Sequence, residues 1–144
     1  MRLSLQTDYA LRVLIHLAAH PDRLASIAEI ARSYAISENH LMKVVNLLGR
    51  LGFVRTVRGR GGGIGLALPA GEIIIGKVVR QTETGLDLAD CGGCVIAPAC
   101  GLTRVLGEAL GAFLGVLDRY SLADITEKQD QLAALLGLEL ATTP

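Results

Sequence analysis

A mainly α fold with one small β-hairpin is what this 144-residue sequence predicts, and three observations predict it. Apolar residues recur at helical spacing through most of residues 7–51, interrupted by Pro and by helix-capping Ser. A strand pattern, a glycine run and a second strand pattern occupy residues 53–68. A long helical stretch near residues 101–122 then carries an apolar seam that no other segment matches in length. With 51% hydrophobic residues, no Trp and 3% aromatics, the core must be built from Leu, Ile, Val and Ala.

The first helix is expected over residues 7–19, where Val13, Leu14, Leu17 and Ala18 share a face with Tyr9 and Ala10 a turn earlier, and Pro21 ends it. Ser26-Ile27-Ala28-Glu29 has the form of a capping box, in which the Ser and Glu side chains satisfy each other's backbone N–H groups. The short helix it opens turns Ile27, Ile30 and Ala31 inward. After Tyr34-Ala35-Ile36, Ser37 caps a third helix with the apolar face Leu41, Val44, Val45, Leu48 and Leu51, closed by Gly52. Two helices across a turn of about three residues, the second longer, form a helix-turn-helix. The outward face of the third helix is Asn39, His40, Lys43, Asn46 and Arg50, side chains that suit base edges or phosphates in a major groove and equally suit an ordinary polar surface.

The next segment favours the first alternative. Phe53-Val54-Arg55-Thr56-Val57-Arg58 and Ile64-Gly65-Leu66-Ala67-Leu68 flank Gly59-Arg60-Gly61-Gly62-Gly63, which makes a hairpin wing with arginines at its base and tip. Glycines let such a tip approach a sugar-phosphate backbone, and Arg58 and Arg60 can bind phosphates or enter a minor groove. No Walker Lys-Ser/Thr pair follows the glycines, which argues against a nucleotide loop. The candidate DNA contacts are therefore Ser37, Asn39, His40, Lys43, Arg58, Arg60 and Gly61. Charge agrees: residues 1–65 carry nine Arg or Lys against four acids, and the remainder five against ten, although an unevenly charged surface would show the same division.

All three cysteines fall in Cys91-Gly92-Gly93-Cys94-Val95-Ile96-Ala97-Pro98-Ala99-Cys100. Three thiolates on one Gly-rich loop can converge on a metal ion or an iron-sulfur cluster, with a fourth ligand from elsewhere. An odd count and an N-terminus without an apolar leader make secretory disulfides a poor alternative, so reduced cytoplasmic thiols are expected. No uncharged apolar stretch reaches the length of a membrane span. Residues 73–83 are expected to form a linking helix and residues 85–99 a loop, with Cys100 in the first turn of the long helix, where a helix N-terminus favours a thiolate. Along that helix Leu102, Leu106, Ala109, Phe113, Val116 and Tyr120 are expected to form the seam of a homodimer, the alternative being a face packed on the rest of its own chain. Gly107, Gly111 and Gly115 each cost about 1 kcal/mol against Ala, which close approach of another backbone would offset. The expected organisation is a winged helix-turn-helix domain (1–83), a cluster-binding loop (84–100), a dimerisation helix (101–122) and a tail (123–144), weakly amphipathic over residues 131–140 with a disordered Thr142-Thr143-Pro144 end.

Along nearly its whole length this order of parts resembles a known family. Met1-Arg2-Leu3-Ser4, Tyr9-Ala10-Leu11-Arg12, the wing Arg58-Gly59-Arg60-Gly61-Gly62-Gly63, the loop Cys94 to Cys100, Phe113-Leu114 and Asp118-Arg119-Tyr120-Ser121-Leu122-Ala123-Asp124 are similar to the NsrR-type repressors. These belong to the dimeric winged-helix iron-sulfur regulators that include IscR. The resemblance implies a cytoplasmic homodimer that represses transcription from double-stranded operator DNA and takes nitric oxide as its signal, through a cluster that nitric oxide nitrosylates or removes. It also implies cluster ligation by Cys91, Cys94 and Cys100 of one subunit and Asp8 of the partner subunit, a four-iron cluster being favoured over a two-iron one. On physical grounds alone Asp8 is equally an acid placed against a helix dipole. Two departures stand out: the gap between Cys91 and Cys94 is shorter than is usual there, and Gly65 occupies a wing position that is frequently basic.

Three rivals remain. One is a sister regulator responding to iron or cluster supply, and another a DNA-binding protein stabilised by zinc at the same cysteines. The third, a dithiol enzyme built on Cys91 and Cys94, lacks the strand-helix context that such a motif needs, so no enzymatic activity is expected.

Overall fold

The computed structural model describes residues 1–138. Its elements are α1 (Leu5–Ala19), α2 (Ile27–Tyr34), α3 (Glu38–Arg50), β1 (Val54–Val57), β2 (Gly63–Leu66), a 3-10 turn (Ala70–Glu72), α4 (Ile75–Thr82), α5 (Leu102–Leu117), α6 (Leu122–Ile125) and α7 (Gln129–Leu135). α1 begins two residues before its predicted start because the Ser4 hydroxyl accepts the Thr7 N–H at 3.3 Å and caps the helix there. Its buried face, Ala10, Val13, Leu14, Leu17 and Ala18, is the centre of the main core.

Only half of the predicted capping box forms on α2. The Ser26 hydroxyl accepts the Glu29 N–H at 3.1 Å, but the Glu29 carboxylate takes Arg23 at 2.5 Å in place of the Ser26 backbone. A guanidinium in the preceding turn offers a charge-assisted bond, stronger than the neutral N–H would give. The turn to α3 passes through Ala35 in the left-handed region (φ 55), and the Ile36 N–H returns to the Ala31 carbonyl at 2.9 Å. Leu41, Val44, Val45 and Leu48 of α3 are buried as their spacing predicts. Gly52 (φ 86) ends it: the Gly52 N–H reaches the Gly49 carbonyl, and that of Phe53 the Leu48 carbonyl at 3.0 Å, which brings the buried Phe53 ring onto the core.

The hairpin is shorter than the alternation suggests. Antiparallel register pairs Val54 with Leu66, Arg55 with Gly65, Thr56 with Ile64 and Val57 with Gly63. Ala25 and Ile64 exchange both backbone hydrogen bonds, at 2.9 and 2.7 Å, and so fasten the wing to the segment that enters α2.

Ile75, Val78 and Val79 of α4 are buried in the same core as α1, and α5 follows with Leu110, Phe113, Leu114 and Leu117 packed against it. That corrects the seam. Leu102, Val116 and Tyr120 are exposed as expected (52, 44 and 46%), but Phe113 faces its own chain. A straight helix of 3.6 residues per turn groups residue 113 with 110, 114 and 117, whereas the predicted seam assumes a supercoil. α5 also starts at Leu102 with Gly101 as its N-cap, so Cys100 lies before the helix and not in its first turn. α7 returns to α1, where Ala133 and Leu138 pack on Ala19, and the Ser33 hydroxyl donates to the Leu136 carbonyl at 2.9 Å. The Thr142-Thr143-Pro144 end lies outside the described residues. No described helix is long and apolar enough to cross a membrane.

Candidate nucleic-acid interface and metal-ligand loop

Helix α3 presents Asn39, Lys43, Asn46 and Arg50 to solvent. Two of its predicted contacts are partly committed elsewhere. The Ser37 hydroxyl caps α3 through the His40 N–H (3.4 Å), and the half-buried His40 ring stands edge-on to Tyr9 with centroids 4.7 Å apart. Met42, 48% exposed between Asn39 and Asn46, is a member of this face that the polar reading of the sequence misses. Exposed thioether on a helix otherwise apolar only inward was the available signal.

In the wing Arg58, Arg60 and Gly61 are exposed, and none of the ion pairs among the described residues involves either arginine. Gly59 (φ 92) and Gly61 (φ 76) occupy the left-handed region, where an L side chain is strained. At the unexpected Gly65, a Cβ would meet Leu24 at 3.0 Å and the Arg55 guanidinium at 3.4 Å. Arg55, directly across the hairpin, thus lays a positive charge over Gly65. Strand parity could have found this pair, because opposite residues share a face.

Asp8 lies on α1 and pairs with Arg12 one turn on, at 2.8 Å, both groups about 40% exposed (40 and 44%). Its hydrogen bond is the main reason that the Arg12 pKa is raised above the ordinary value, burial working the other way. Arg12 in turn sits 5.6 Å over the Tyr34 ring, and the Tyr34 hydroxyl donates to the Arg12 carbonyl at 3.0 Å. Burial pushes the Tyr34 phenol up to about 12.

A second link joins the start of α1 to the end of α4, beyond which the cysteine loop begins. The Glu83 carboxylate accepts the Ser4 N–H at 3.0 Å and the Ser4 hydroxyl at 3.1 Å, and Gln6 Nε2 donates to the Thr82 carbonyl at 2.7 Å. Burial pushes the Glu83 carboxyl up, but hydrogen bonds from Thr7 and Ser4 outweigh it and hold the group below its ordinary value. No local sequence signal connects residues 79 positions apart.

Cys91, Cys94 and Cys100 are all free thiols; Cys94 is exposed and the others half-buried. Cys91 borders a cleft of about 770 Å³ between its own loop and α5, lined also by Leu86, Asp90, Thr103 and Leu106. The loop runs as consecutive turns, Cys94 N–H to Cys91 carbonyl, Ala97 to Cys94 and Ala99 to Ile96. Among the described residues no three His, Cys, Asp or Glu side chains are gathered where they could hold a metal ion. Sequence proximity therefore does not by itself bring the three sulfurs together, because two intervening turns carry Cys100 to the foot of α5. The donor set nevertheless fits a thiophilic metal centre: three free thiols, two of them flanking a bare glycine turn and the third at the foot of α5, with no Lys or Arg within the loop.

A helix-turn-helix with a fastened wing, an exposed polar and basic helix face, and a separate cysteine loop defines a winged-helix transcriptional regulator. The chain belongs to the Rrf2 family, described as Iron-dependent Transcriptional regulator, which it matches over residues 3–128. It is a regulator and not an enzyme. It is 50% identical to the HTH-type transcriptional regulator NsrR of Bacillus subtilis, over 96% of this chain and 99% of that protein. The NsrR of Geobacillus kaustophilus is 49% identical, over 94% of this chain and 97% of the other. Among solved structures, oxidised CymR of Staphylococcus aureus (TM-score 0.74, 28% identity) covers 88% of this chain and 97% of its own. IscR of T. potens (TM-score 0.75, 26% identity) covers 91% and 90%.

Proposed function

We propose that this regulator represses transcription by binding operator DNA as a homodimer, and that it senses nitric oxide through an iron-sulfur cluster. The observation that carries the reading is full-length similarity to NsrR regulators in a chain whose only three cysteines share one loop. Cys91, Cys94 and Cys100 would hold the cluster, four-iron in the favoured form, with Asp8 of the partner subunit. When bound, such a cluster supplies iron that reacts with nitric oxide. Asp8 is available at small cost, since an exposed i,i+4 pair such as that with Arg12 is worth about 0.3–0.5 kcal/mol. Leaving Arg12, it would tie the reading domain of one subunit to the loop of the other.

Dimerisation through α5 is supported by its exposed Leu102, Val105 and Val116, with exposed Tyr120 just beyond its end, and by Gly107, Gly111 and Gly115, around which a Cβ meets nothing within 4 Å. Each subunit would set α3 in a major groove through Ser37, Asn39, His40 and Lys43, and reach the flanking backbone with Arg58, Arg60 and Gly61. Titrating the anaerobic holoprotein with nitric oxide tests the reading: visible absorbance and operator affinity should fall together. Affinity that ignores nitric oxide but follows iron withdrawal would support the iron-responsive alternative, which the family description favours. A colourless protein with full affinity would point to zinc.

A further inference from the structure

We infer that Cys91 and Cys94 form a redox-active dithiol in the cluster-free chain, which a small-molecule disulfide oxidises to an intramolecular disulfide while Cys100 stays free. The Cys94 N–H donates to the Cys91 carbonyl at 3.3 Å and closes a four-residue turn. In such a turn the first and fourth Cα atoms lie within about 7 Å. A disulfide spans about 4.4–6.8 Å between Cα atoms, a range that falls within that bound. Neither Gly92 nor Gly93 has a positive φ, so the backbone does not require glycine at either place. What two glycines leave is a turn with no side chain between the sulfurs: a Cβ on Gly93 would meet nothing within 4 Å, and one on Gly92 only the Asp90 carboxylate at 3.9 Å. Cys100 is set apart by the turns closed at Ala97 and Ala99.

Exposure assigns the order of attack. The Cys94 thiolate, exposed, attacks one sulfur of the disulfide; a bond from Cys94 to that sulfur forms, the original S–S bond breaks, and the departing thiolate takes up a proton. The half-buried Cys91 thiolate then attacks the Cys94 sulfur, forms the Cys91–Cys94 bond and expels the second thiolate, which is protonated in turn. Two cysteine thiols are oxidised by two electrons and one small disulfide is reduced to two thiols, with two protons passing from the protein to the products. Oxidation would withdraw two of the three donors assigned above, so loading of the cluster would follow the thiol-disulfide balance of its surroundings. That consequence rests on the proposed ligand set, whereas the dithiol does not.

The experiment treats the full-length, iron-free, reduced chain with oxidised glutathione under anaerobic conditions, then alkylates it and maps it by mass spectrometry. The wild type should alkylate at Cys100 alone and yield a peptide with Cys91 and Cys94 joined. Cys91→Ser should stop at a lasting glutathione adduct on Cys94, and Cys100→Ser should oxidise at the wild-type rate. A lasting adduct on wild-type Cys94, or Cys100 joined to either of the others, overturns the inference. In a separate measurement, iron and sulfide uptake by the oxidised wild type should fall to background and return with dithiothreitol. Undiminished uptake by a chain whose mass shows the disulfide overturns the proposed ligand set and still supports the dithiol.

Discussion

Replacing Arg58 or Arg60 by alanine removes one positive charge from the tip of the wing. Both side chains are solvent-exposed, and no ion pair among the described residues engages them, so each charge is free for a phosphate. The fold should lose no more than about 0.5 kcal/mol, as is usual for surface substitutions. Operator binding should change in a way that salt exposes. Each phosphate contact contributes about 0.9 to the slope of log affinity against log salt. The proposed homodimer carries two wings, so between 50 and 200 mM salt the wild type should lose roughly twelvefold more affinity than either single variant and roughly 150-fold more than the double variant. Fluorescence anisotropy with labelled operator at five salt concentrations measures the slope, and thermal unfolding of the same samples controls for stability. Equal slopes for the wild type and both variants would refute the assignment of the wing to the phosphate backbone.

Cys94→Ala and Cys100→Ala should each abolish the cluster, while Cys91→Ala retains a labile one because the first gap is so short; iron and sulfide analysis decides, and wild-type content in either of the first two would sink the ligand set. Asp8→Ala should alter the holoprotein's visible spectrum or its stability to oxygen and lower cluster-dependent DNA affinity, with sedimentation still showing a dimer; an unchanged spectrum, nitric oxide response and affinity would leave Asp8 as the Arg12 partner alone. His16, 2% exposed with neither ring nitrogen hydrogen-bonded and Nε2 3.9 Å from the Glu29 carboxylate, has its pKa lowered chiefly by burial, with Glu29 raising and Arg23 lowering it. A depressed folded pKa means that stability present above the unfolded value of about 6.5 is lost as pH falls through that value towards the folded one, by at most about 1.4 kcal/mol per pH unit. Tm measured at pH 7.5 and 5.5 should fall less in His16→Phe than in the wild type, and an equal fall would show that other groups carry the acid sensitivity.

Features set within one or two helical turns were readable from the sequence. The buried face of α3, its Ser37 cap and its Gly52 terminus depend on side-chain period and on backbone groups a few residues away. Where a partner outside the local pattern competes, local reading fails: Glu29 abandons the Ser26 backbone for Arg23 in the preceding turn, and Phe113 turns to the core under α4. Cys100 stands before α5 and not in its first turn, because the turns closed at Ala97 and Ala99 use the preceding residues before the helix begins. Met42 and Arg55 were missed for different reasons. One is apolar on a polar face, and the other takes its place from the cross-strand register with Gly65.

The paired hydrogen bonds between Ala25 and Ile64 tie the wing to the segment that enters α2, within the one core that the helices share. Such a head cannot be retuned from within at low cost, because loosening the wing would break the seam that also seats Phe53 and α2. In the homodimer proposed above, a signal arriving at the cysteine loop would act on the phase of one head relative to its twin. On B-DNA, where equivalent groove positions recur about every 34 Å, a small rotation at that joint would put one head out of step while the other stayed seated. Control of this kind works as a vernier does, through misalignment of two rigid scales.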